Sequence, residues 1–387
     1  MKQITGIQAK SSQPLTGLAN HVCDGSWQTL ASQVNTFFQQ VAADLHPLAD
    51  DAAPPPEVDF IPAEFIIDQA DVECRLSKIN VHKAPGPDGI PNWVLRDFCP
   101  YLSGPVCAIF NASIREGFAP MQWKEANIIP VPKVSPPQSI ESDLRPISLT
   151  STLGKVLKTF VGSWIMQNIG STIDSSQYSA LRKKSTTHAL VDITHHRHSA
   201  VDKDQLVRIV SVDFAKAFDH VDYNILVSSM RSLGLSDIII RWMCAYLQGR
   251  HQRVKIGDVL SDWLPVIARM PQGSYLGPLT FIMLINGLEA ADVTHKYVDD
   301  TTLTEFLNQA STSRMQLHVD ELTGQATNVG MIINVKKTRE MLTGRELKIS
   351  MPPVVLNSQP IQRLDTFKLL GVLILSLIHI SEPTRPY

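Results

Sequence analysis

The spacing of apolar residues in the first half of the chain is mainly helical. It predicts amphipathic helices around Ser26–Leu45, at Asn92–Asp97 and around Val106–Glu116, with Pro- and Gly-rich loops between them. A short strand is predicted at Ala126–Val131, and the chain is expected to become helical again from about Ser151. These patterns indicate a mainly helical region that contains one short strand.

The second half of the chain opens with strand-like spacing. The run LVRIVSVDF is rich in β-branched and apolar residues and predicts a buried strand with Asp213 near its end. Helices are predicted at Tyr223–Leu233 and Ile238–Gln248. The segment Thr294–Leu303 is typical of a β-hairpin, and we expect its turn at Asp299–Asp300.

The composition is that of a globular protein with two or three packed units, since 44% of its 387 residues are hydrophobic. The stretch Asp50–Pro56 is typical of a linker. Five scattered cysteines without a C-x-x-C pair favour reduced intracellular thiols over zinc or disulfides. The N-terminus lacks the apolar core of a signal peptide, and no run reaches the roughly 18 uncharged apolar residues of a membrane span. We expect an intracellular protein without a membrane partner.

The formal net charge of −2 argues mildly against a nucleic-acid-binding protein, because phosphate contacts usually require a basic surface. Net charge is a sum over all surfaces, however, and is compatible with local basic tracks. Arg253 and Lys255 alternate in GRHQRVKIG and so share one face of a presumed strand. This pattern indicates either such a track or an ordinary solvated face, and the solvated face is the more common case.

Three aspartates are the candidate catalytic residues. Asp213 ends a buried strand, where a charged carboxylate needs a partner, and Asp299 and Asp300 are adjacent in KYVDDTTL. Neighbouring side chains of an extended chain point to opposite faces, so one of this pair can face the same cleft as Asp213 while the other borders it. Carboxylates gathered in this way repel one another unless divalent cations lie between them, as in two-metal phosphoryl transfer. Taken singly, each motif is equally typical of a solvated turn or a helix cap.

The order of several motifs resembles that of reverse transcriptases, specifically those of non-LTR retrotransposons of the jockey or chicken-repeat branch. The resemblance runs from about Ile79 to Leu373. The motifs that carry it are, in chain order, NVHKAPGPDGIPNWVLR, WKEANIIPVPK, DLRPISLTSTLGKVLK, VDFAKAFDHVDY, MPQGSYLGPLTFIMLING, YVDD, GMIINVKKT and TFKLLGV.

This resemblance implies an α+β, right-hand polymerase fold in which a small antiparallel palm sheet packs on helices. An N-terminal extension and linker would occupy residues 1–75, the fingers 76–205 and the palm 206–345, with the end of the palm and the start of a connection to the thumb at 346–374. The thumb itself is expected to be missing. No endonuclease motif set is visible before the fingers.

The resemblance also implies the activity: an RNA-directed DNA polymerase that extends a primer 3′-OH with deoxynucleotides on an RNA template, in the cytoplasm and nucleus, with two Mg²⁺ ions or with Mn²⁺. Asp213 and Asp299 match the main metal ligands, the carbonyl of Phe214 an additional oxygen ligand, and Asp300 the third carboxylate. Lys337 in NVKKT matches a general acid for the leaving pyrophosphate, although a plain surface lysine is nearly as common at such a position.

Five further residues match the family's nucleotide-binding positions. Lys133 and Arg145 match basic residues that contact the triphosphate, where cations offset the charge of the transition state. Phe218 matches the ring that excludes a ribose 2′-OH, although an aromatic at this spacing is otherwise ordinary core. Gln272 and Gly273 match the loop beneath the nascent base pair, where glycine lets the backbone approach the nucleotide.

The sequence departs from the family pattern at three places. Tyr275 stands where a small or aliphatic residue is usual, and Val298 where the branch typically has Ala; both put bulk near the template and primer, and Tyr275 is compatible with a decayed copy. The final segment Leu375–Tyr387 resembles the translation of a sequencing adapter, and we predict that it is an artefact that is disordered or packs arbitrarily. Two alternatives therefore stay open: a group II intron-type or domesticated reverse transcriptase, and an inactive remnant or RNA-binding protein.

Overall fold

The computed structural model describes residues 15–54, 61–179, 181, 183–270, 275–308, 311–344 and 351–376. The chain forms two compact units, each built from two separate stretches. The first contains Met1–Ser171 and Phe218–Leu279, and the second contains Thr172–Ala217 and Thr280–Tyr387. The predicted boundaries of extension, fingers and palm are contiguous along the chain, and they stay a prediction.

The helices of the described residues are mostly short and amphipathic. They are α1 (Thr16–Cys23), α2 (Trp27–Gln40), α3 (Gln69–Ser77), α4 (Asn92–Asp97), α5 (Cys99–Glu116), α6 (Met121–Lys124), α7 (Ile140–Asp143), α8 (Thr152–Ile169), α9 (Thr186–Asp202), α10 (Tyr223–Ser232), α11 (Asp237–Leu247), α12 (Leu276–Leu284) and α13 (Met315–Asn328). Within the described ranges, none of them is long and apolar enough to cross a membrane.

The strands form two larger sheets and two small hairpins. They are β1 (Glu125–Pro132), β2 (Leu144–Thr150), β3 (Leu206–Val212), β4 (Arg250–Ile256), β5 (Val259–Leu260), β6 (Leu264–Val266), β7 (Val293–Tyr297), β8 (Asp300–Leu307), β9 (Arg339–Thr343), β10 (Val355–Leu356), β11 (Gln359–Pro360), β12 (Gln362–Arg363), β13 (Thr366–Leu369) and β14 (Val372–Leu375). The mixture of helices and mainly antiparallel sheets confirms the predicted α+β class.

Most predicted elements lie where the sequence indicated. Helix α2 begins after Ser26, whose hydroxyl accepts a hydrogen bond from a main-chain N–H of the first turn, and α4 agrees with the prediction at both ends. The predicted start of α5 at Val106 is wrong, because the helix already begins at Cys99 and contains Pro105. Proline disfavours a helix interior, but here the first turns of α5 pack against α3, where Gln69 donates to the Ser103 hydroxyl at 3.2 Å.

The first unit contains a sheet with the strand order β2-β1-β4-β5, in which β6 also pairs with β4. Strands β1 and β2 form an antiparallel hairpin, while β1 and β4 are parallel. Helices α1 and α2 cover this sheet with a core that includes Leu18, Leu30 and Ile128. Buried and half-buried residues alternate along β4, so Arg253 and Lys255 share its half-buried face, as predicted.

The second unit contains a sheet with the strand order β12-β9-β3-β8-β7. The central strand β3 pairs antiparallel with both β8 and β9, and β7 and β8 form the predicted hairpin. The pair Val212–Thr301 places the end of β3 beside the start of β8. Residues of β3, β9 and α9 share a core with Phe367 of β13. The sheet thus brings the residues that follow β3 next to the tip of the β7–β8 hairpin.

The turn of this hairpin corrects one prediction. Tyr297 pairs with Asp300, so the two-residue turn is Val298–Asp299 and not Asp299–Asp300. Two-residue turns need a left-handed backbone, and Val298 adopts φ 56°. Aspartates are common in turns, which is why the residue pattern favoured the aspartate pair. The register of the sheet decides the matter, because it assigns Asp300 to β8.

The ends of the described ranges limit two further predictions. Residues 377–387 of the adapter-like segment lie outside the described residues, so the expected disorder stays a prediction. Its first residue, Leu375, pairs with Thr366 in the β13–β14 hairpin. Residues 55–56 of the predicted linker also lie outside the described ranges.

Candidate active site

Asp213 immediately follows the central strand β3, and its main chain is held firmly. Its carbonyl accepts a hydrogen bond from Asn334 N at 2.7 Å, and its N–H donates to the Thr338 hydroxyl at 3.4 Å. One carboxylate oxygen, Oδ2, is buried and has no hydrogen-bond partner among the described residues. The nearest recorded cation is Lys337, whose Nζ lies 3.5 Å from that oxygen. This oxygen is therefore placed to accept a ligand.

Asp299 and Asp300 occupy the tip of the β7–β8 hairpin and interact with Asp213. Burial raises the pKa of Asp299, and the charge of Asp213 raises it further, while Lys337 lowers it. Asp300 is exposed, yet loss of solvent around its carboxyl and the charges of Asp299 and Asp213 raise its pKa to about 6. The second unit thus gathers the three predicted carboxylates into one mutually repelling group.

Lys337 is the predicted cation of this group, and the structure places it beside Asp213. It lies in a turn in which its own N–H and that of Thr338 donate to the carbonyl of Asn334, at 3.2 and 2.9 Å. The side chain is 67% exposed. A solvent-accessible ammonium group therefore borders the carboxylates.

The residues present fit a divalent cation. Mg²⁺ prefers carboxylate and carbonyl oxygens and usually keeps several waters or substrate phosphates. Phe214 pairs with Ile333 in an antiparallel bridge. The hydrogen bonds of this bridge are made by the neighbouring residues, with Ala215 N donating to Ile332 O and Asn334 N donating to Asp213 O. The pairing therefore does not use the carbonyl of Phe214. No group of three Asp, Glu, His or Cys side chains within the described residues forms a metal cage by itself. Because Mg²⁺ takes part of its shell from substrate, the Asp299 carboxylate, the Phe214 carbonyl and the Asp213 carboxylate with its unpaired Oδ2 are a suitable donor set.

The two predicted triphosphate ligands belong to the first unit. Lys133 and Arg145 lie at the turn end of the β1–β2 hairpin, and both are exposed. The ammonium of Lys133 donates to the carbonyl of Ser142 at 2.8 Å, and its N–H donates to the carbonyl of Asp143 at 2.7 Å. The hairpin therefore brings two basic residues together, while their contact with a triphosphate stays a prediction.

The other predicted nucleotide-binding residues are less fully described. Phe218 is half-buried in the first unit, and its carbonyl accepts a hydrogen bond from Met270 N at 3.0 Å. Its role as a barrier to ribonucleotides stays a prediction. Gln272 and Gly273 lie outside the described residues.

Tyr275, which departs from the family pattern, packs in the first unit against a glycine of α8. A Cβ at Gly162 would overlap the Tyr275 ring. Tyr275 remains 50% exposed. The helix glycine therefore makes room for the unusual aromatic, and this part of the ring is accommodated without a clash.

The structure adds residues behind the β7–β8 hairpin that the sequence did not indicate. Lys296 of β7 is fully buried, forms an ion pair with Asp174, and donates to the carbonyls of Ile285, Asn286 and Leu288 at 3.2, 3.1 and 2.8 Å. Burial lowers the pKa of Lys296, and the charge of Asp174 opposes that change. A lysine in the run VTHKY is compatible with a solvated strand face, so the pattern gave no signal for this role.

A second buried ion pair lies in the centre of the same sheet. Arg208 of β3 donates through Nε to Glu340 of β9 at 2.6 Å, and Arg363 of β12 contacts the other carboxylate oxygen at 3.0 Å. Arg208 also donates to the carbonyl of Pro352 at 2.8 Å. These contacts join three strands and the segment before β10, so they support the sheet that carries Asp213.

Comparisons with known proteins agree with this geometry. Residues 131–374 match the family model described as "Reverse transcriptase (RNA-dependent DNA polymerase)". This chain belongs to that family. The match includes Asp213, Asp299, Asp300 and Lys337 and ends immediately before Leu375. Reverse transcriptases in general use an RNA template, a primer and deoxynucleotides and depend on divalent metal ions.

The curated relatives are proteins of mobile elements. The chain is 24% identical over 316 residues to the RNA-directed DNA polymerase from mobile element jockey of Drosophila melanogaster, covering 78% of this chain and 34% of the relative. It is 26% identical over 317 residues to the probable RNA-directed DNA polymerase from transposon X-element of the same species, covering 78% and 35%. The Pol polyprotein from type-1 retrotransposable element R1 of Bradysia coprophila is 26% identical over 332 residues, covering 81% and 32%.

These comparisons confirm the resemblance to the reverse transcriptases of non-LTR retrotransposons. The chain spans about a third of the length of the curated relatives it matches. The matched region is therefore only part of each of those proteins.

Proposed function

We propose that this chain is the RNA-directed DNA polymerase portion of a non-LTR retrotransposon protein, which adds deoxynucleotides to a primer 3′-OH on an RNA template. The observation that carries the proposal is the grouping of Asp213, Asp299, Asp300 and Lys337 within the residues that match the family. Burial and mutual repulsion leave these carboxylates in need of cations. The family match and the named relatives favour this function over an inactive remnant or an RNA-binding protein.

Asp213, Asp299 and the carbonyl of Phe214 are the residues that would hold two Mg²⁺ ions, or Mn²⁺, with Asp300 as the third carboxylate. When bound, these ions lower the pKa of an attacking hydroxyl and offset the charge of the phosphates. The protein's part is to hold its oxygens in place before substrate arrives, and the sheet does so by fixing the main chain on both sides of Asp213.

In the reaction, the primer 3′-hydroxyl loses its proton to water, its oxygen forms a bond to the α-phosphorus of the deoxynucleotide, and the bond from that phosphorus to the pyrophosphate oxygen breaks. Lys337 donates a proton from Nζ to the departing pyrophosphate, which suits its exposed position beside Asp213. Lys133 and Arg145 bind the triphosphate, and Phe218 excludes a 2′-OH. Gln272 and Gly273 support the nascent base pair.

The proposal includes the right-hand architecture. We assign the fingers to residues 76–205, the palm to 206–345 and the end of the palm to 346–374, so that a thumb lies beyond the residues matched to the family. The five-stranded sheet of the second unit corresponds to the palm, and the β1–β2 hairpin belongs to the fingers. The proposed location is intracellular, in the cytoplasm and nucleus, where RNA template and chromosomal DNA are found.

Primer extension on a poly-A RNA template with an oligo-dT primer tests the function. We expect Mg²⁺-dependent extension that Asp299→Asn abolishes, whereas Asp202→Asn, at an exposed aspartate in α9, leaves it unchanged. A version extended by the downstream sequence of the intact element is tested in parallel, because a thumb increases contact with the template. Absence of extension from both versions contradicts the polymerase proposal. Extension that survives Asp299→Asn contradicts the site.

A further inference from the structure

The strand that leads to the catalytic turn is held from behind by a short segment of the second unit. Lys296 N donates to the carbonyl of Ser176 at 2.9 Å, and Tyr178 N donates to the carbonyl of Lys296 at 2.8 Å. These two bonds form a parallel β-bridge between Gln177 and Lys296. The segment 174–178 therefore adds a stretch of main-chain pairing to the outer edge of β7.

Gln177 extends this contact to the turn itself. Its side chain is buried, with only 1% exposure, and its Oε1 accepts two main-chain hydrogen bonds, from Ser179 N at 3.0 Å and from Val298 N at 3.2 Å. Val298 is the residue immediately before Asp299. One amide oxygen thus joins the segment 174–178 to the residue that sets the direction of the catalytic aspartate.

We infer that Gln177 is a positioning residue for Asp299, acting through its hydrogen bond to the main chain of Val298. The inference rests on the proposed function, since it names what fixes a carboxylate of the polymerase site. Gln177 has no contact with substrate in this role. It determines where the Asp299 carboxylate lies before a metal ion and a nucleotide bind.

The backbone of the turn needs such a contact. Val298 is β-branched and buried, and its φ of 56° lies in a region that β-branched residues rarely adopt. A strained conformation of this kind persists only when surrounding contacts determine it. The hairpin ladder ends at the pair Tyr297–Asp300, so it supplies no partner for the Val298 N–H. The acceptor recorded for this buried N–H is Gln177.

The acceptor is itself fixed on both sides. Before it, Asp174 forms the ion pair with the buried Lys296. After it, the Tyr178 hydroxyl donates to Asp192 Oδ2 at 2.6 Å, and His295 Nε2 lies 2.9 Å from the same oxygen. Two polar anchors therefore flank Gln177 and tie it to β7, so its amide cannot follow the turn if the turn relaxes.

The consequence for catalysis follows from the precision that the reaction requires. A displacement of a catalytic group by about 1 Å can reduce the rate about 100-fold. The Gln177→Met variant keeps the length and bulk of the side chain but lacks the acceptor. We expect kcat to fall roughly 10- to 100-fold while the KM for deoxynucleotide changes by less than about threefold, because the triphosphate ligands are untouched.

The test needs readouts that do not depend on activity. In the metal-free protein, amide hydrogen exchange at Val298 should accelerate at least about tenfold in Gln177→Met, because the N–H loses its acceptor. Mn²⁺ binding, followed by electron paramagnetic resonance, should weaken roughly three- to tenfold, because Asp299 is displaced. The matched control is Gln205→Met, a glutamine at the opposite end of β3 whose amide bonds Asn308. It should change neither readout.

Two further variants separate positioning from loss of folding. Gln177→Asn keeps the amide but falls short of Val298, so it should behave like Gln177→Met. Adding Val298→Gly to Gln177→Met should restore most of the Mn²⁺ affinity, because glycine adopts positive φ without support. Unchanged exchange and Mn²⁺ affinity in both Gln177 variants would overturn the inference, as would a loss of affinity that glycine does not rescue. If neither the wild-type chain nor its extended version extends a primer, the proposed function fails, whereas the exchange and Mn²⁺ measurements still decide the role of Gln177.

Discussion

Replacement of Asp300 by asparagine should stabilise the metal-free protein at neutral pH. Asp300 is an exposed residue, but neighbouring protein atoms remove part of the solvent around its carboxyl group. This desolvation and the charges of Asp299 and Asp213 together raise its pKa to about 6. Asparagine has a similar shape and carries no charge. The substitution therefore removes a repulsion between carboxylates that bound cations would offset and that the metal-free protein leaves in place.

The size and the pH dependence follow from that shift. A rise from 3.8 to about 6 corresponds to roughly 3 kcal/mol for a group shielded from solvent. Asp300 is exposed, so solvent and salt screen most of this, and we expect a gain of about 0.5–1 kcal/mol at pH 7.5. The folded-state pKa lies above the ordinary value, so the wild-type protein has this stability below pH 3.8 and loses it as the pH rises through about 6.

Urea unfolding of the two proteins in EDTA measures this difference. The measurements are made at several pH values from about 4 to about 8, which lie on both sides of the raised pKa of Asp300. The stability advantage of Asp300→Asn should shrink as the pH falls toward about 4. Millimolar Mg²⁺ should reduce or reverse this advantage, because the wild-type site then gains a ligand. Asp202→Asn is the control. The account of the carboxylate group would be refuted if Asp300→Asn were less stable than wild type at about pH 7.5 in EDTA. It would also be refuted if the gain in unfolding free energy were as large at about pH 4 as at about pH 7.5.

Three other predictions follow from the second unit and from the proposed nucleotide site. Lys296→Met should lower the free energy of unfolding by about 3–5 kcal/mol, because it leaves the Asp174 carboxylate without its buried partner; an unchanged urea midpoint would contradict the importance of that pair. Lys337→Ala should reduce kcat roughly 10- to 100-fold with little change in the KM for deoxynucleotide, and Lys337→Arg, which keeps the charge but does not readily release a proton, should recover little of the rate; equal KM and kcat effects, or full recovery by arginine, would argue against a general acid. Phe218→Ala should increase ribonucleotide incorporation relative to deoxynucleotide incorporation in a primer-extension assay, and unchanged selectivity would remove Phe218 from the site.

The candidate site could largely be predicted from the sequence because its members carry distinctive chemistry in a distinctive order. The sequence pattern indicates Asp213, Asp299, Asp300 and Lys337, and the structure brings them together. The contacts of the nucleotide site could not be predicted in the same way. Lys133 and Arg145 share one hairpin end, but a ligand contact depends on a substrate whose position no local pattern encodes.

Local sequence by itself determined most of the elements. Helix α4 and the strand that ends before Asp213 lie where the pattern placed them, because capping residues and runs of β-branched residues act over a few neighbours. The sequence pattern places the start of α5 too late because proline is a strong local signal, and packing against α3 overrides it. Interactions between residues a few positions apart can be predicted from the sequence, whereas interactions between distant segments cannot.

The tertiary structure alone decided how the β7–β8 hairpin is held. Its turn is Val298–Asp299 because the pairing of β8 with β3 assigns Asp300 to a strand, and the N–H of Val298 finds its acceptor on Gln177, far away along the chain. Lys296 is buried rather than solvated because Asp174 and three carbonyls surround its ammonium group. The sequence shows the same residue type whether a lysine or a glutamine is solvated or buried. Only the hydrogen-bond and charge partners that folding supplies determine whether it is buried.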